Sequence, residues 1–383
     1  MNSLVDIAAK PKGDALETLL DMVSARAAQY SAAQQLDAET VEAMKAAGVY
    51  RALVPARFGG EEKSPADFLR LVEAISTRDG SAGWVASFGV SHLYLASLPG
   101  DTLAKVYADG PDVVFAGTIF PPQPTRKVSG GYIVSGRWPF GSGSPGASLI
   151  GVGIRSDDPT AGGLPRMAVM PAGQVRIEPN WNVIGMRGTG SHDLVVEEVF
   201  VPEEWTFVRG APPSVDLAAY RYPSMGLAAQ VLAVVGLGVA RGAIDLLSEM
   251  ATRRGSITGA PLMAERANVQ IALAKCESEL RSTRAFFYEI AEETHAQVLA
   301  GTPISPRQRA LIRMAATQAA RTGADVTRVM FEQAGTAGIF NDHPLSRMMQ
   351  DALVVNQHAF LNETTWQSAG RVLLGLDAPA GFP

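Results

Sequence analysis

The stretch WNVIGMRGTGSHDLVVEEVFVP, from Trp181 to Pro202, indicates how the chain is organised. Its first half is rich in glycine and polar residues, and Gly185–Thr189 (GMRGT) is typical of a tight turn. Its second half, Leu194–Val201, is rich in β-branched residues, which indicates a strand. The stretch therefore predicts a turn that leads into a strand of a β-domain, and by itself it could also be an ordinary hairpin.

The residues before this stretch have the same character. Short β-rich runs, separated by clusters of Gly, Pro, Ser and Asp, extend from about Val113 to Val208. This pattern is typical of a small antiparallel barrel or sandwich. The runs are Val113–Phe115, Tyr132–Ser135, Leu149–Gly153, Met167–Met170, Val175–Pro179 and Leu194–Val201.

Helical periodicity lies on both sides of the β-rich region. Apolar residues recur every three to four positions at Leu16–Ala27 and Ala38–Ala47. After the β-rich region, long amphipathic stretches have lengths that form bundles: Met225–Arg253, Met263–Leu299 and Pro306–Ala334. The order predicts an α+β protein with an N-terminal helical domain at 1–112, a central β-domain at 113–215 and a C-terminal helical bundle at 216–383.

Composition excludes several classes of function. Of the 383 residues, 47% are hydrophobic and 19% are charged, which is a globular composition. A net charge of -5 without a concentrated basic face disfavours nucleic acids and anionic membranes as partners. The longest apolar run, Leu227–Val239, is shorter than the roughly 20 residues of a membrane span. Cys276 is the only cysteine, the N-terminus lacks a signal-peptide core, and the histidines lack metal-ligand spacing. We therefore expect a cytoplasmic protein without a metal site.

Three segments in chain order resemble the acyl-CoA dehydrogenase superfamily. Trp181–Pro202 is similar to the stretch that closes the family's β-domain, and Gly130–Ser144 (GGYIVSGRWPFGSGS) to its flavin-contacting strand and turn. Phe331–Ala352 resembles its Gly-rich turn, its Pro-x-x-Arg and its terminal Asp. With the helical ends, the resemblance covers nearly the whole chain. It implies a C-terminal four-helix bundle, a bound flavin and a homotetramer with Arg347 at subunit contacts.

The catalytic base of a dehydrogenase is missing from this sequence. In acyl-CoA dehydrogenases a glutamate removes an α-proton, and the matching position here is Ala359. The nearby Glu363 lies one helical turn further, where we expect it to face a neighbour or solvent. A second location used in the family corresponds to Ala251–Pro261, which contains no carboxylate. A dehydrogenase with an unidentified base, and a non-catalytic family member, stay open as alternatives.

The chain is instead similar to the two-component flavin-dependent monooxygenases of this superfamily, which oxygenate phenols, steroid rings, dibenzothiophene or indoles. The matching segments are GWVASFGVSHLYL (Gly83–Leu95), WPFGSG (Trp138–Gly143) and NQHAF (Asn356–Phe360). They contain His92, Ser142 and His358 respectively. The sequence departs from the pattern at Gly141, where a serine is usual, and at Gln350, where an arginine is usual.

The resemblance implies an activity and its partners. A separate flavin reductase would supply reduced flavin, FMN or FAD, by diffusion, and molecular oxygen would form a flavin C4a-hydroperoxide. This species would hydroxylate a small aromatic or heteroaromatic substrate. We expect a largely apolar ring, because no anion clamp is evident near the candidate positions.

The resemblance also implies roles for single residues. His358 is expected to carry the acid/base step, because a histidine can exchange protons near neutral pH. His92 is expected to orient the substrate, and Ser142 to hydrogen-bond flavin nitrogen 5. Without the resemblance, the two histidines would be core residues and Ser142 a turn residue. The expected cofactor contacts are Ser142, Trp138, Phe140, Thr118, Arg253 and Gly335. We interpret His192, His295 and His343 as structural.

Overall fold

The computed structural model describes residues 13–155, 165–253 and 261–378. Within these ranges the predicted order of helices, strands and helices is confirmed. The N-terminal helices are α1 (Gly13–Ala33), α2 (Ala38–Ala46), α3 (Pro65–Ser76), α4 (Gly80–Ser87), α5 (His92–Leu95) and α6 (Gly100–Val106). The C-terminal helices are α7 (Ser224–Arg253), α8 (Ala267–Leu299), α9 (Pro306–Ala334), α10 (Pro344–Val355) and α11 (Thr364–Leu373). Of the stretch Ala251–Pro261, residues 254–260 lie outside the described residues.

In the part of the chain that the structure describes, the β-domain is a sandwich of two four-stranded sheets, with strand orders β1-β4-β5-β8 and β2-β3-β7-β6. Strands β1 and β4 are parallel, and the other pairs are antiparallel. Buried side chains of both sheets, including Tyr132, Ile150 and Leu194, form the core between them. The strands are β1 (Phe115–Pro124), β2 (Arg126–Val128), β3 (Gly131–Gly141), β4 (Leu149–Arg155), β5 (Arg166–Pro171), β6 (Arg176–Glu178), β7 (His192–Pro202) and β8 (Thr206–Val208).

Helix α7 is the centre of the C-terminal bundle. It is long and apolar enough to cross a membrane, but 94% of its most apolar window is buried inside the protein, as expected for a core helix. Its glycines allow neighbouring backbones to come close. A Cβ at Gly323 of α9 would lie 2.7 Å from the backbone of Gly236, and one at Gly238 would lie 2.6 Å from the Glu73 carbonyl of α3. Helix α7 therefore joins the bundle to the N-terminal helices.

A bulge in β3 determines which side chains leave the sandwich core. Trp138 pairs with Leu194 and Gly141 with His192, so β3 has one more residue than β7 between these pairs. An extra residue of this kind re-aims the side chains that follow it. Phe140 has a left-handed backbone, with φ 64°, and its side chain is 64% exposed. Trp138 stays buried and donates from Nε1 to the Gly153 carbonyl at 2.8 Å.

A buried carboxyl group, that of Asp351, holds the Gly185–Thr189 turn against α10. Met186 adopts a left-handed backbone conformation, with φ 56°, and its N–H donates to Asp351 Oδ1. At Gly185 a Cβ would lie 2.2 Å from the Gln350 carbonyl, so only glycine permits this approach. Burial and the nearby Asp79 raise the pKa of Asp351. The glycine turn and the terminal Asp of the sequence are therefore one structural unit.

Candidate functional site

A cavity of about 890 Å³ lies where the three regions of the chain meet. The N-terminal helices contribute Trp84, the β-domain contributes Phe140 and Ser142, helix α7 contributes Val231, and the turn after α10 contributes His358. Small-molecule sites typically have volumes of about 300–1,000 Å³. This cavity is therefore large enough for a ligand with more than one ring system.

Ser142, Ser191 and Thr189 form a chain of hydrogen-bonded hydroxyl groups in which the donor of each bond can be assigned. Thr189 Oγ1 donates to the Met186 carbonyl at 2.9 Å, because a carbonyl oxygen can only accept. Ser191 Oγ lies 2.6 Å from Thr189 Oγ1 and must donate to it, and Ser142 Oγ, 2.6 Å from Ser191 Oγ, must donate in turn. Trp84 Nε1 donates to Ser142 Oγ at 3.3 Å. Ser142 thus keeps one lone pair for a donor in the cavity.

The hydrogen bonds of His358 determine its tautomer. Its Nδ1 accepts from the Phe360 backbone N–H at 3.2 Å, so the neutral ring carries its proton on Nε2. Burial, followed by the charges of Arg209 and Arg313, lowers the pKa of His358 to about 4. The ring is also held between aromatic groups, 5.8 Å from the Trp84 ring and 4.9 Å from the Phe360 ring. At neutral pH His358 is therefore an uncharged imidazole with an N–H donor.

His92 lies among core residues and is not part of the cavity wall. The side chain is buried, its Nδ1 is 2.8 Å from the Tyr107 hydroxyl, and burial lowers its pKa to about 4. The cavity wall beside it is formed by its neighbours Val90, Ser91 and Tyr94. This position corrects the expectation that His92 orients the substrate, since it has no contact with the cavity.

The expected ring contacts divide into two groups. Phe140 lines the cavity and meets the Trp181 ring edge-on, with centroids 6.1 Å apart and an interplanar angle of 82°. Thr118 also lines it, and its hydroxyl donates to the Phe120 carbonyl at 3.1 Å. Trp138 does not, because the bulge leaves it in the sandwich core. The expectation that Trp138 is a cofactor contact is corrected accordingly.

Three further candidates lie away from the cavity. Arg253 is the last residue of α7, its side chain is 76% exposed, and it pairs with Glu249. Gly335 ends α9 with a φ of 58°, and a Cβ added there would meet open space, which fits a helix terminus. Arg347 is mostly buried and lies 3.5 Å from Asp79 Oδ2 within the same subunit. Neither Arg253 nor Gly335 lines the cavity. Arg347 is partly exposed, and its expected place at a subunit contact stays a prediction.

His192 and His343, which we interpreted as structural, accept hydrogen bonds from backbone N–H groups. His192 Nδ1 accepts from Asn180 N at 3.2 Å and from Trp181 N at 3.1 Å, which supports Trp181 at the cavity wall. His343 Nδ1 accepts from Leu345 N at 3.3 Å at the start of α10. These contacts explain both residues without a part in chemistry.

Arg209 is the only formally charged residue among the described residues that line the cavity, and it was not predicted from the sequence. Trp84 and Ser191, which bind Ser142, were not predicted either. Arg209 follows β8 in a loop, and its ring contacts come from distant parts of the chain. The TGS sequence at Thr189–Ser191 was a usable signal for the hydroxyl chain, because it places two hydroxyls beside the glycine turn.

The cavity offers no base for α-proton removal. Its described lining residues include no Asp or Glu, and Ala359 occupies the wall beside His358. The Glu363 side chain is 79% exposed and pairs with Arg321 at 2.5 Å. The expectation that Glu363 faces a neighbour or solvent is confirmed, and dehydrogenase chemistry is not favoured.

The chemistry of the cavity fits a reduced flavin. A reduced flavin carries a hydrogen on nitrogen 5, and the free lone pair of Ser142 is an acceptor for such a donor. Phe140 and Trp181 offer aromatic surface for a ring system. When bound, the flavin would supply the electrons that activate oxygen, while the protein positions the reactants and excludes water.

Comparisons with known proteins agree with this geometry. The family model for the acyl-CoA dehydrogenase C-terminal domain matches residues 230–363. An indole-3-acetate monooxygenase of Pseudomonas putida is 51% identical over 97% of this chain and 96% of its own. A protein of the same name from Acinetobacter baumannii is 45% identical over the full length of both. The crystal structure of 3-HSA hydroxylase from Rhodococcus sp. RHA1 superposes with a TM-score of 0.90 at 25% identity, covering 98% of this chain and 100% of that one.

Fold, cavity and relatives define one class of protein. The chain belongs to the flavin-dependent monooxygenase branch of the acyl-CoA dehydrogenase superfamily. It is an enzyme that uses reduced flavin and oxygen on an aromatic substrate.

Proposed function

We propose that this monooxygenase oxygenates the ring of an indole derivative. One observation carries the proposal: a largely apolar cavity presents the free lone pair of Ser142 and the neutral imidazole of His358. No carboxylate is among the described residues that line this cavity. A fused heteroaromatic ring suits such a wall because apolar side chains favour its transfer from water. The names of the two relatives at 51% and 45% identity support an indole nucleus.

We propose that His358 acts by donating a hydrogen bond and not by removing a proton. A base works best when its pKa is near the working pH, and the pKa of His358 is about 4. The bond from the Phe360 N–H occupies Nδ1, which leaves Nε2–H as the group that can meet a ligand. The Nε2–H group would donate a hydrogen bond to an oxygen atom beside the ring that reacts. The acid/base role expected from the sequence is thereby replaced by a positioning and polarising one.

We also propose how the flavin is supplied and how the subunits assemble. Reduced flavin would arrive by diffusion from a separate reductase. Ser142, Phe140 and Trp181 would contact only its ring, so FMN and FAD are equally suitable. We propose a homotetramer in the cytoplasm. Exposed apolar side chains near the C-terminal end of the described chain, such as Phe340 and Leu374, support an assembly that covers them.

The proposal is tested by a single-turnover reaction without a reductase. Protein is mixed anaerobically with photoreduced FMN or FAD and with indole-3-acetate or indole, and air is then admitted. Mass spectrometry should detect a product heavier by one oxygen atom with at least one of the two ring substrates. Failure with both indoles would refute the indole proposal. Bleaching of bound oxidised flavin by an acyl-CoA would instead support the dehydrogenase alternative.

A further inference from the structure

Arg209 is a cation without an anionic partner in the cavity wall. It lines the cavity, and among the described residues it has neither a hydrogen bond nor an ion pair, while its Nε is buried without a partner. Its guanidinium carbon lies 4.3 Å from the ring centroid of Tyr94 and 6.0 Å from that of Phe360. Ring contacts of this kind hold a guanidinium in place without neutralising it.

Two other arginines between packed elements of this protein have carboxylate partners. Arg241 Nη1 lies 2.6 Å from Glu277, and Arg284 Nε lies 2.7 Å from Glu73. A partly buried guanidinium without such a partner loses hydration, and ring contacts offset only part of that cost. No carboxylate among the described residues lines the cavity to supply that partner. The described lining residues therefore leave the Arg209 guanidinium open to an anionic ligand.

We propose that Arg209 binds the carboxylate of the substrate, which is then an aromatic acid with a short acidic side chain. The inference deepens the proposed function and rests on it. Arg209 meets the ring of Phe360, which is also the neighbour of His358, so the anion site lies on the side of the cavity that carries His358. A guanidinium binds a planar carboxylate through two parallel hydrogen bonds. Arg209 would thereby select acids over neutral indoles. This replaces the expectation of a cavity without an anion clamp.

The other source of an anion is the phosphate of the flavin, and the experiment separates the two. Steady-state constants are measured with indole-3-acetate and with 3-methylindole, which has the same ring but no carboxylate. The variants are Arg209→Gln, Arg209→Lys and the control Arg176→Gln, a surface arginine of β6 paired with Glu178. The Kd of reduced flavin is measured for each variant, and circular dichroism checks its fold.

We expect Arg209→Gln to raise KM for indole-3-acetate roughly 10- to 100-fold, the worth of a hydrogen-bonded charge. KM for 3-methylindole and the flavin Kd should change little. Arg209→Lys should recover part of the affinity for the acid, because it keeps the charge but not the paired geometry. The control variant should match the unmodified protein with both substrates.

Three results would overturn the inference. An equal loss with both substrates would mean that Arg209 only packs the wall. A weaker flavin Kd with an unchanged ratio of KM values would assign Arg209 to the flavin phosphate. If the unmodified protein oxygenates neither indole, the proposed function fails, and calorimetry with indole-3-acetate still decides the inference. Binding of the acid that persists in Arg209→Gln would refute it, whereas loss of binding would support it.

Discussion

Replacing Ser142 with alanine should uncouple oxygen consumption from product formation. The buried Ser142 hydroxyl accepts from Trp84 Nε1 at 3.3 Å, donates to Ser191 at 2.6 Å and has one lone pair left for flavin nitrogen 5. Removing one partner of a buried hydrogen bond costs about 1–3 kcal/mol. At about 1.4 kcal/mol per tenfold, the rate of oxygen transfer relative to its loss as hydrogen peroxide should fall roughly 5- to 150-fold.

The assay compares product, oxygen consumed and hydrogen peroxide released in the same reaction. Ser144→Ala is the matched control, because Ser144 is buried two residues away and its hydroxyl has no partner among the described residues. Ser191→Ala should give an intermediate loss, since Ser142 keeps its hydroxyl but its proton is no longer directed. An unchanged ratio of product to oxygen in Ser142→Ala, or an equal fall in Ser144→Ala, would refute this reasoning.

Three further predictions concern His358, His92 and Asp351. His358→Ala should slow the single-turnover rate about 10- to 100-fold, because it removes the N–H donor. His358→Gln keeps an N–H donor and should retain clearly more activity. Equal losses of rate in the two variants would indicate that His358 acts as a base instead. His92→Gln should leave KM unchanged and lower the free energy of unfolding by about 1–3 kcal/mol in urea titrations, whereas a raised KM would return His92 to the substrate site. The raised pKa of Asp351 means that the folded state holds a proton that the unfolded state releases. This contribution to stability is full below the ordinary pKa of about 4 and is lost as pH rises from there to the folded pKa of about 8. Asp351→Asn, which can still accept from Met186, should therefore reduce the fall in stability between about pH 4 and pH 8, and an unchanged slope would contradict this.

The long elements of the fold could be predicted because their patterns are regular. The predicted stretches Met263–Leu299 and Pro306–Ala334 nearly coincide with α8 and α9, where burial follows a helical period over many turns. Of the three-residue strands, β6 lies in the predicted run Val175–Pro179, but β2 and β8 were not predicted, because three residues alone have no measurable alternation. Their pairing partners β3 and β5 determine them.

The candidate site was only partly predictable, for a local reason and a distant one. Strand alternation puts Trp138 and Phe140 on the same face, and a single bulge between Trp138 and Gly141 separates them. Ser142 and His358 were found through segments that resemble a family, and both line the cavity. Arg209 has no local pattern, since its role depends on rings from α5 and from the turn after α10.

The central claim is that this chain transfers an oxygen atom to an aromatic ring inside the described cavity. Its most direct test is a single turnover under ¹⁸O₂ with photoreduced flavin and indole-3-acetate, followed by mass spectrometry of the product. We expect the unmodified protein to place one atom of ¹⁸O in each product molecule. In Ser142→Ala most of the ¹⁸O should appear in hydrogen peroxide instead, whereas Ser144→Ala should behave as the unmodified protein does. A product that takes its oxygen from water, or ¹⁸O transfer that Ser142→Ala leaves intact, would contradict it.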